Sequence, residues 1–486
     1  MKRLVVDNQD NFSGGLRDVA ARVRAPNEVA TLTNGRVLRN GALAKRGGTR
    51  QIHSAAVDGT QDIQGGFSWN YSGGVLQLII VNGRLYTGTY TTSITWTARG
   101  MAADFSSSAT PRFAQFYDGS NEAVYIADGG LLNKYVPTTV TTNIASTPAV
   151  VDVVTYNQRL FGITGTNETL YWSALNNGDT LGIAASGGGE AIVRSFGAGP
   201  IVGLAVVGPV LYMLHKRGIS RFTGWGQEDI GIDAGTRGVA TGLAFHSKGY
   251  VVLDDTLYVM ANGVVYAVND LGVADLSKDR VTTGIVQNAI AVAIHATDEI
   301  LLGQMGSSYL LYNKEMDAWS KLSLNTAGLP TILCAWAAVD DNNLPVVFLG
   351  GSDSFVYRFD QGVTDAADVN GSNGNDYTFS VTTRNLFQKP KHAPVLLRRV
   401  GYRGSTFNAP TIGYVAYDQS GTNTVSSAVP AAAGASNIAE AVIQAGHKGD
   451  SIQLTYSDAA STSNAPSLLY SLWAEGYVLG PRARYG

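Results

Sequence analysis

One pattern repeats along residues 61–361 and constrains what this chain can fold into. A short apolar run is followed by a polar turn, then by a second apolar run that carries a Tyr or Phe, and then by another turn. The pattern restarts at intervals of 46, 40, 49, 41, 49 and 43 residues. The restarts are anchored at Phe67, Phe113, Val153, Val202, Leu243, Val292 and Ala335.

Intervals of this size match the length of one propeller blade. Four short strands with their turns fill about 40–50 residues. A single blade cannot bury both of its faces, so neighbouring blades have to stack around a ring. The repeat therefore predicts an all-β protein with a β-propeller of about seven blades over residues 61–361. We expect the continuously apolar runs to form its inner strands and the alternating runs to lie nearer the rim.

The composition agrees with short strands and tight turns. Charged residues make up 15% of the 486 residues, against about 25% in a typical globular protein. Gly (57 residues) and Tyr (23 residues) are abundant, as expected for turns and strands. Because Cys334 is the single cysteine, a disulfide framework and a cysteine-built zinc site are excluded. No membrane span or signal peptide is evident, which predicts a product kept in a cytoplasm or built into a particle there.

The segments outside the repeat predict three further units. Residues 1–60 are expected to be an extended arm, with short helical turns over Asp18–Arg24 and from Pro26, and a hairpin around Asn40-Gly41. Residues 362–376 are polar and Gly-rich, as in a linker; their acidic spacing suggests a calcium loop, but the twelfth position is Phe379 rather than Glu. Residues 377–486 alternate in the manner of a C-terminal β-sandwich domain. Within the repeat, we expect residues 178–199 to be a loop between blades.

The charge is distributed unevenly along the chain. Residues 1–60 hold ten Lys or Arg and five Asp or Glu, a balance of +5. Residues 61–374 hold 16 and 27, a balance of −11, and residues 375–486 hold nine and six, a balance of +3. The acidic repeat is either ordinary solubilising charge or a surface that must not bind nucleic acid.

The sequence offers no catalytic or metal-binding pattern. The six histidines are scattered and show neither H-x-x-x-H nor H-E-x-x-H spacing. No G-x-S-x-G elbow or phosphate-binding loop occurs, and the adjacent pairs Asp254-Asp255 and Asp340-Asp341 fall in turns. We therefore expect no enzyme, and we assign no catalytic, cofactor-binding or metal-binding residue.

The N-terminal arm resembles a known family. The carrying residues are the runs Asn11-Phe12-Ser13-Gly14-Gly15-Leu16, Pro26-Asn27-Glu28-Val29-Ala30, Leu32-Thr33-Asn34-Gly35-Arg36-Val37 and Gly41-Ala42-Leu43-Ala44-Lys45-Arg46-Gly47-Gly48-Thr49. Together they resemble the opening of the tail nozzle and tail hub proteins of short-tailed bacteriophages. The terminal Gly480-Pro481-Arg482 is similar as well.

The resemblance implies a structural virion protein. Proteins of that family have a β-propeller body with added β-domains, assemble as a hexameric ring below the portal and adaptor, contact tail fibres and conduct the genome outward. For this chain it implies a virion location, assembly in the host cytoplasm, and DNA that passes without specific binding. The sequence shows no evident large insertion for fibre docking. An acidic repeat facing a channel would repel phosphate, so we expect an acidic lumen.

The same resemblance assigns assembly to the arm. The assembly residues it implies are Phe12, Gly14, Gly15, Leu16, Pro26, Asn34, Gly35, Gly41, Leu43, Lys45 and Arg46. We expect a chain without residues 1–50 to keep a folded propeller and to lose its place in a tail. Two other hypotheses remain open at this point: a monomeric propeller that binds protein partners on one rim, and a carbohydrate-active propeller.

Overall fold

A computed structural model of the chain gives its architecture. It describes residues 3–17, 24–101, 104–137, 139–193, 198–224, 237–241, 245–278, 280–281, 290–303, 309–324, 329–340, 342–361, 364–368, 374–387, 395–405, 410–417, 423–425, 429–430, 439–441, 448–449, 451–458 and 467–478. None of these residues belongs to a helix long and apolar enough to cross a membrane.

The N-terminal arm consists of seven short strands. They are β1 (Arg3–Gln9), β2 (Gly15–Leu16), β3 (Glu28–Val29), β4 (Thr31–Thr33), β5 (Gly35–Val37), β6 (Leu43–Lys45) and β7 (Thr49–Gln51). The predicted hairpin around Asn40-Gly41 is confirmed, because β5 and β6 pair in antiparallel fashion with Val37 opposite Leu43. The helical turn expected from Pro26 is wrong: β3 pairs in parallel with β2 instead. Residues 18–23 lie outside the described residues.

The repeat region forms seven antiparallel meanders, each of which is one blade. The strands of the first three blades are β8 (Ile63–Tyr71), β9 (Gly74–Val81), β10 (Arg84–Gly88) and β11 (Thr97–Arg99); β12 (Arg112–Tyr117), β13 (Glu122–Ala127), β14 (Asn133–Val136) and β15 (Thr139–Thr141); β16 (Asp152–Tyr156), β17 (Arg159–Ile163), β18 (Thr169–Trp172) and β19 (Gly189–Ile192). The next two blades contain β20 (Ile201–Val207), β21 (Val210–His215), β22 (Gly218–Phe222) and β23 (Arg237–Thr241); β24 (Phe245–Leu253), β25 (Thr256–Ala261), β26 (Val264–Asn269) and β27 (Gly272–Asp275). The last two contain β28 (Ala291–Ile294), β29 (Glu299–Gly303), β30 (Tyr309–Asn313) and β31 (Ala318–Leu322); β32 (Ile332–Val339), β33 (Pro345–Gly351) and β34 (Val356–Phe359).

The meanders close into a ring. The first strand of each blade contacts the first strands of both neighbouring blades, and the circuit ends with β32 against β8. Blade 7 has only three strands of its own, and its fourth is β7 of the arm, with Arg50 opposite Arg358. The all-β class and the seven-bladed propeller are thus confirmed, with β8 beginning at Ile63 and β34 ending at Phe359. Closure by the arm was not predicted.

The repeat pattern corresponds to specific strands. Six of the seven anchors lie in the first strands of their blades, and Leu243 lies outside the described residues. Continuously buried apolar runs occur in second strands, as in Leu78–Val81 of β9 and Val210–Leu214 of β21, and the first strand β20 is also buried almost throughout. A second strand has a neighbour at each edge and a blade on each face, whereas β32 alternates between buried and half-buried side chains. The expected loop at residues 178–199 contains β19 and two 3₁₀ turns, Gly178–Thr180 and Ala184–Ser186.

The C-terminal strands form two sheets that share strands with the arm. They are β35 (Phe379–Thr382), β36 (Val395–Ser405), β37 (Thr411–Tyr417), β38 (Asn423–Val425), β39 (Val429–Pro430), β40 (Ala439–Ala441), β41 (Lys448–Gly449), β42 (Ser451–Asp458) and β43 (Leu468–Val478). One sheet runs β40-β36-β43-β6-β5, with β1 also on β43; the other runs β4-β35-β42-β37-β38. The sheets pack face to face, with the rings of Tyr402 and Tyr456 5.4 Å apart.

The arm joins the propeller to this sandwich. Strand β4 pairs with β35 of the sandwich and, in parallel, with β31 at the outer edge of blade 6. Blade 6 and one sandwich sheet are therefore continuous. One apolar core also spans both parts, from Tyr312 and Trp319 of blade 6 to Leu454 and Leu472 of the sandwich. The arm is thus an integral part of the fold.

The first prediction concerns ring closure. Deleting residues 1–51 removes β7 and leaves blade 7 with an open edge, so we expect the propeller to lose cooperative stability. The change should appear in circular dichroism melts as a midpoint lower by more than about 10 °C, or as a chain that does not accumulate in folded form. This replaces the expectation that the propeller stays folded without residues 1–50. A truncated chain that melted like the full one would contradict the closure by β7.

Candidate functional site

Most of the residues that the sequence assigned to assembly are buried, and three of them, Asn34, Lys45 and Arg46, lie at the junction of arm, propeller and sandwich. We define the junction as Asn34, Arg36, Lys45, Arg46, Glu299, Asp360, Asp365 and Tyr377. Of the assigned residues with side chains beyond glycine, five are at most 2% exposed: Phe12, Leu16, Asn34, Leu43 and Arg46. Lys45 is 3% exposed, and Pro26 is exposed in a turn. Buried side chains cannot touch a second subunit directly, so any part they play in assembly is indirect.

Asn34 links three parts of the chain. Its backbone lies in the left-handed region (φ 55°), which Asn tolerates better than most residues. Its side-chain nitrogen donates to the Thr378 carbonyl at 2.8 Å, and its side-chain oxygen accepts from the Ser323 N–H at 2.9 Å. The backbone N–H donates to the carbonyl of Lys321 at 2.7 Å. One short polar side chain thus satisfies groups from blade 6 and from the sandwich.

Arg46 forms a buried ion pair at the centre of the junction. Its Nη1 is 2.7 Å from Oδ1 of Asp365, and its Nη2 pairs with Oδ2 of the same carboxylate. Both side chains have zero exposure. The guanidinium lies 3.9 Å from the ring centre of Tyr377, whose hydroxyl donates to the Arg46 carbonyl. Burial raises the pKa of Asp365, and the charge of Arg46 opposes that rise.

Asp365 belongs to the segment that the sequence predicted to be a linker. Its burial corrects that interpretation for residues 364–368, because Ala367 also exchanges backbone hydrogen bonds with residues of β7. Residues 369–373, the middle of the suggested calcium loop, lie outside the described residues. The part of the linker that is described is therefore a fixed connection between β34 and the arm.

A second cation ties the arm to two blades. Arg36 of β5 places Nη2 2.9 Å from Oε2 of Glu299 in blade 6, and its Nη1 pairs with Asp360 at the end of blade 7. Glu299 is 2% exposed, so burial raises its pKa while Arg36 lowers it. Asp360 also accepts from the Gly47 N–H at 2.8 Å. These contacts fix β5 across the boundary between blades 6 and 7.

The glycines of the assigned set allow close approach. Gly15 has φ +60°, and a Cβ there would lie 2.8 Å from the backbone nitrogen of Trp319 in blade 6. At Gly35 a Cβ would lie 2.6 Å from the ring of Phe379 in the sandwich. Any side chain at these positions would push the arm away from its two neighbours.

The centre of the propeller ring is occupied by side chains. Arg112 of blade 2 lies over the ring of Tyr250 from blade 5, with 5.0 Å between its Cζ and the ring centre. The Tyr250 hydroxyl donates to Asp152 of blade 3, and the same carboxylate accepts from the Leu204 N–H of blade 4 at 2.9 Å. Burial raises the pKa of Asp152, against the charge of Arg112. Side chains of blades 2, 3 and 5 thus meet across the axis.

The centre of a single propeller is therefore not an acidic channel, and the acidic lumen expected for a ring of copies stays a prediction. Among the first-strand side chains that the structure describes, the charged ones are Arg112 and Asp152, one of each sign. The first strands pack closely against one another, which leaves little room for unpaired charge. The acidic residues of the repeat therefore lie elsewhere on the propeller.

Two buried histidines are structural. In His53, Nδ1 donates to the Ala55 carbonyl at 2.6 Å and Nε2 accepts from the Val356 N–H at 2.8 Å, so the ring is neutral. It holds the connection after β7 against blade 7. His215 has zero exposure and donates from Nδ1 to the Gly199 carbonyl at 2.8 Å. Burial lowers the pKa of both rings. In the part of the chain that is described, no three His, Cys, Asp or Glu side chains are grouped as metal ligands would be.

Comparisons with known proteins give limited information. No family model matches the chain, and a search of curated proteins found no match. The extracellular domain of the putative hybrid two-component system BT4673 from B. thetaiotaomicron is similar in structure, with 10% identity over 77% of this chain and 44% of that one and a TM-score of 0.45. PorZ, a surface component of the type-IX secretion system of Porphyromonas gingivalis, gives 11% identity, 69% and 42% coverage and a TM-score of 0.43. The chain spans less than half the length of both. At these TM-scores neither likeness bears on function.

The second prediction tests the ion pair. Replacing Arg46 or Asp365 alone leaves a buried uncompensated partner, so we expect Arg46→Met and Asp365→Leu each to cost about 3–5 kcal/mol of unfolding free energy. The double variant should cost clearly less than the two single costs together, because it leaves no unpaired charge. Urea unfolding of all four chains measures this. Additive losses would show that the two side chains do not depend on each other.

The third prediction concerns pH. Because the folded pKa values of His53 and His215 lie below the usual 6.5, their stabilisation is fully present above that pH and is lost as the pH falls below it. Each histidine should contribute a slope of at most about 1.4 kcal/mol per pH unit. Urea unfolding of wild type and His53→Asn at pH 7.5 and near pH 5.5 should show a smaller loss for the variant. The exposed His295, changed to Gln, serves as the control for the replacement of a histidine.

Proposed function

We propose that this chain is a structural virion protein, the nozzle or hub of a short phage tail. By the resemblance, copies of the chain would form a hexameric ring below a portal and adaptor, with tail fibres as a further partner. The ring would assemble in the host cytoplasm. The observation that carries the proposal is the junction: the arm residues on which the resemblance rests are those that fasten propeller and sandwich into one body.

The contact across the axis constrains where a genome would pass. Since Arg112, Asp152 and Tyr250 meet at the centre of the ring, the proposed path runs between copies of the chain and not through one propeller. The wall of the path would then be an outer surface of the subunits. The balance of −11 over residues 61–374 would keep such a wall from binding phosphate.

A monomeric propeller that serves as a protein-binding scaffold is the second candidate. Its specific support is that strands β1 to β7 find their partners within the same chain, so no strand in the described part of the arm is left over for exchange between subunits. In this reading the junction only stabilises the monomer.

The mass of the purified chain in solution separates the two candidates. Size-exclusion chromatography with light scattering is expected to show a multiple of the 51.3 kDa chain mass, either alone or after mixing with a portal–adaptor complex of a short-tailed phage. Negative-stain electron microscopy should then show rings, and mixing with portal that lacks adaptor is the control. A species that stays at 51.3 kDa in every mixture would rule out the nozzle and favour the scaffold.

A further inference from the structure

Three strands of the sandwich, β1, β43 and β36, form one antiparallel sheet with a covered and an uncovered side. Strand β43 lies between the other two, and its Tyr477 pairs with Leu4 of β1 and with Leu396 of β36. Successive side chains of a strand point to opposite sides of its sheet. Tyr402 and Leu472 are buried, and Tyr402 contacts the second sheet, so the residues that alternate with them face outward. We call the outward side of β1, β43 and β36 the outer sheet face.

The outer sheet face carries large apolar side chains that adjoin one another. In the described part of the chain outside the propeller, the large apolar side chains that are exposed are Leu4 (46%) and Val6 (58%). They are two residues apart on β1 and therefore lie on the same side of the strand. Leu4 is the cross-strand neighbour of the half-buried Tyr477, and Tyr477 is that of the half-buried Leu396. The side of a sheet that faces water usually has polar side chains, and a contiguous apolar patch marks an interaction site.

An aromatic side chain and two arginines lie beside this patch. The indole of Trp473 covers Gly401 of β36, where a Cβ would lie 2.3 Å from the indole Cζ2. Arg399 and Arg403 stand two residues before and after Gly401, so they face outward on both sides of the indole. The outer sheet face thus combines Trp473 and Tyr477 with arginine, and these are the residue types that dominate protein interfaces.

The arginines of the outer sheet face outnumber its carboxylates. A β-bulge at Arg398 leaves Arg398 and Arg399 opposite a single carboxylate, that of Glu475. Arg398 pairs with it, with 3.1 Å between its Nη1 and Oε1 of Glu475. Arg403 lies opposite Ser471. Within the described residues, no carboxylate forms an ion pair with Arg399 or Arg403, so both guanidinium groups can bind carboxylates from outside.

The short strands at the edge of β36 leave this balance unchanged. Strand β40 places Glu440 opposite Gly401, and β41 places Lys448 opposite Leu396, one residue of each sign. A nucleic acid would use the arginines and the aromatic rings but would gain little from the exposed aliphatic side chains of β1. A protein surface with Asp or Glu beside apolar side chains would use all of these groups.

We propose that the outer sheet face is a docking surface for a partner protein that presents Asp or Glu beside apolar side chains. The apolar side chains of the partner would cover Leu4 and Val6, and its carboxylates would pair with Arg399 and Arg403. The inference goes beyond the proposed function and does not depend on it, because the face belongs to the sandwich of a single chain.

The test uses the full chain and synthetic peptides as probes. A fluorescent amphipathic Glu/Leu peptide is titrated in anisotropy experiments, beside a Lys/Leu peptide, a Glu/Ser peptide and single-stranded DNA. The outer-face variant removes two charges and one exposed apolar side chain by the substitutions Val6→Thr, Arg399→Gln and Arg403→Gln. Its matched control removes the same from exposed positions of the propeller by the substitutions Ile192→Thr, Lys216→Gln and Arg217→Gln.

We expect the Glu/Leu peptide to bind wild type and control alike and to bind the outer-face variant about tenfold more weakly. A photo-cross-linker on the bound peptide should label β1, β36 and β43. Thermal melts of both variants verify that they remain folded.

Failure of the Glu/Leu peptide to bind, equal weakening in both variants, or labelling of other strands would overturn the proposal. Equal binding of the Lys/Leu peptide, the Glu/Ser peptide or the DNA would also overturn it. Light scattering gives the last control: self-association of wild type that the outer-face variant alone has lost would assign the face to a second copy instead.

Discussion

The structure depends on one pairing between the two ends of the repeat: strand β7 of the arm completes the blade that ends at Phe359. A propeller whose last blade lacked a strand would expose a row of unpaired backbone groups at its rim. The buried ion pair lies close to this contact in sequence: Arg46 shortly precedes β7, and Asp365 shortly follows β34. Ring closure and the attachment of the sandwich therefore depend on neighbouring contacts. A substitution that weakens one of them should also weaken the other.

The blades of the propeller could be predicted from the sequence because the pattern of apolar runs and turns is periodic. The restarts located six blades within their first strands, and the hairpin predicted around Asn40-Gly41 is formed by β5 and β6. What could not be predicted comes from pairing between distant residues. Nothing local in Thr49–Gln51 distinguishes a fourth strand of blade 7 from an arm, and the helix-like start at Pro26 gave way to pairing of β3 with β2.

The candidate site shows the same division. Asn34 was assigned to assembly through the resemblance, but its hydrogen bonds to Ser323 and Thr378 join positions about 290 and 340 residues further along the chain. Asp365 gave no signal at all, because a carboxylate in a polar, Gly-rich stretch is typical of a solvated linker. The sequence contains a weak hint for its partner Arg46, which follows the apolar run Ala42-Leu43-Ala44 and Lys45 and precedes Gly47-Gly48. If that strand is buried, a charged side chain in it needs a partner.

The late position of β34 has a consequence for biosynthesis. Residues 49–51 leave the ribosome about 300 residues before the strand that they pair with, and the sandwich strands that pair with β4 and β6 follow later still. Strand β7 must stay unpaired while six blades form, and the ring locks only after β34 has emerged. Folding that is dominated by contacts remote in sequence is slow. A chain that ended before β34 would leave the ring open, with strand edges whose unpaired backbone groups favour aggregation.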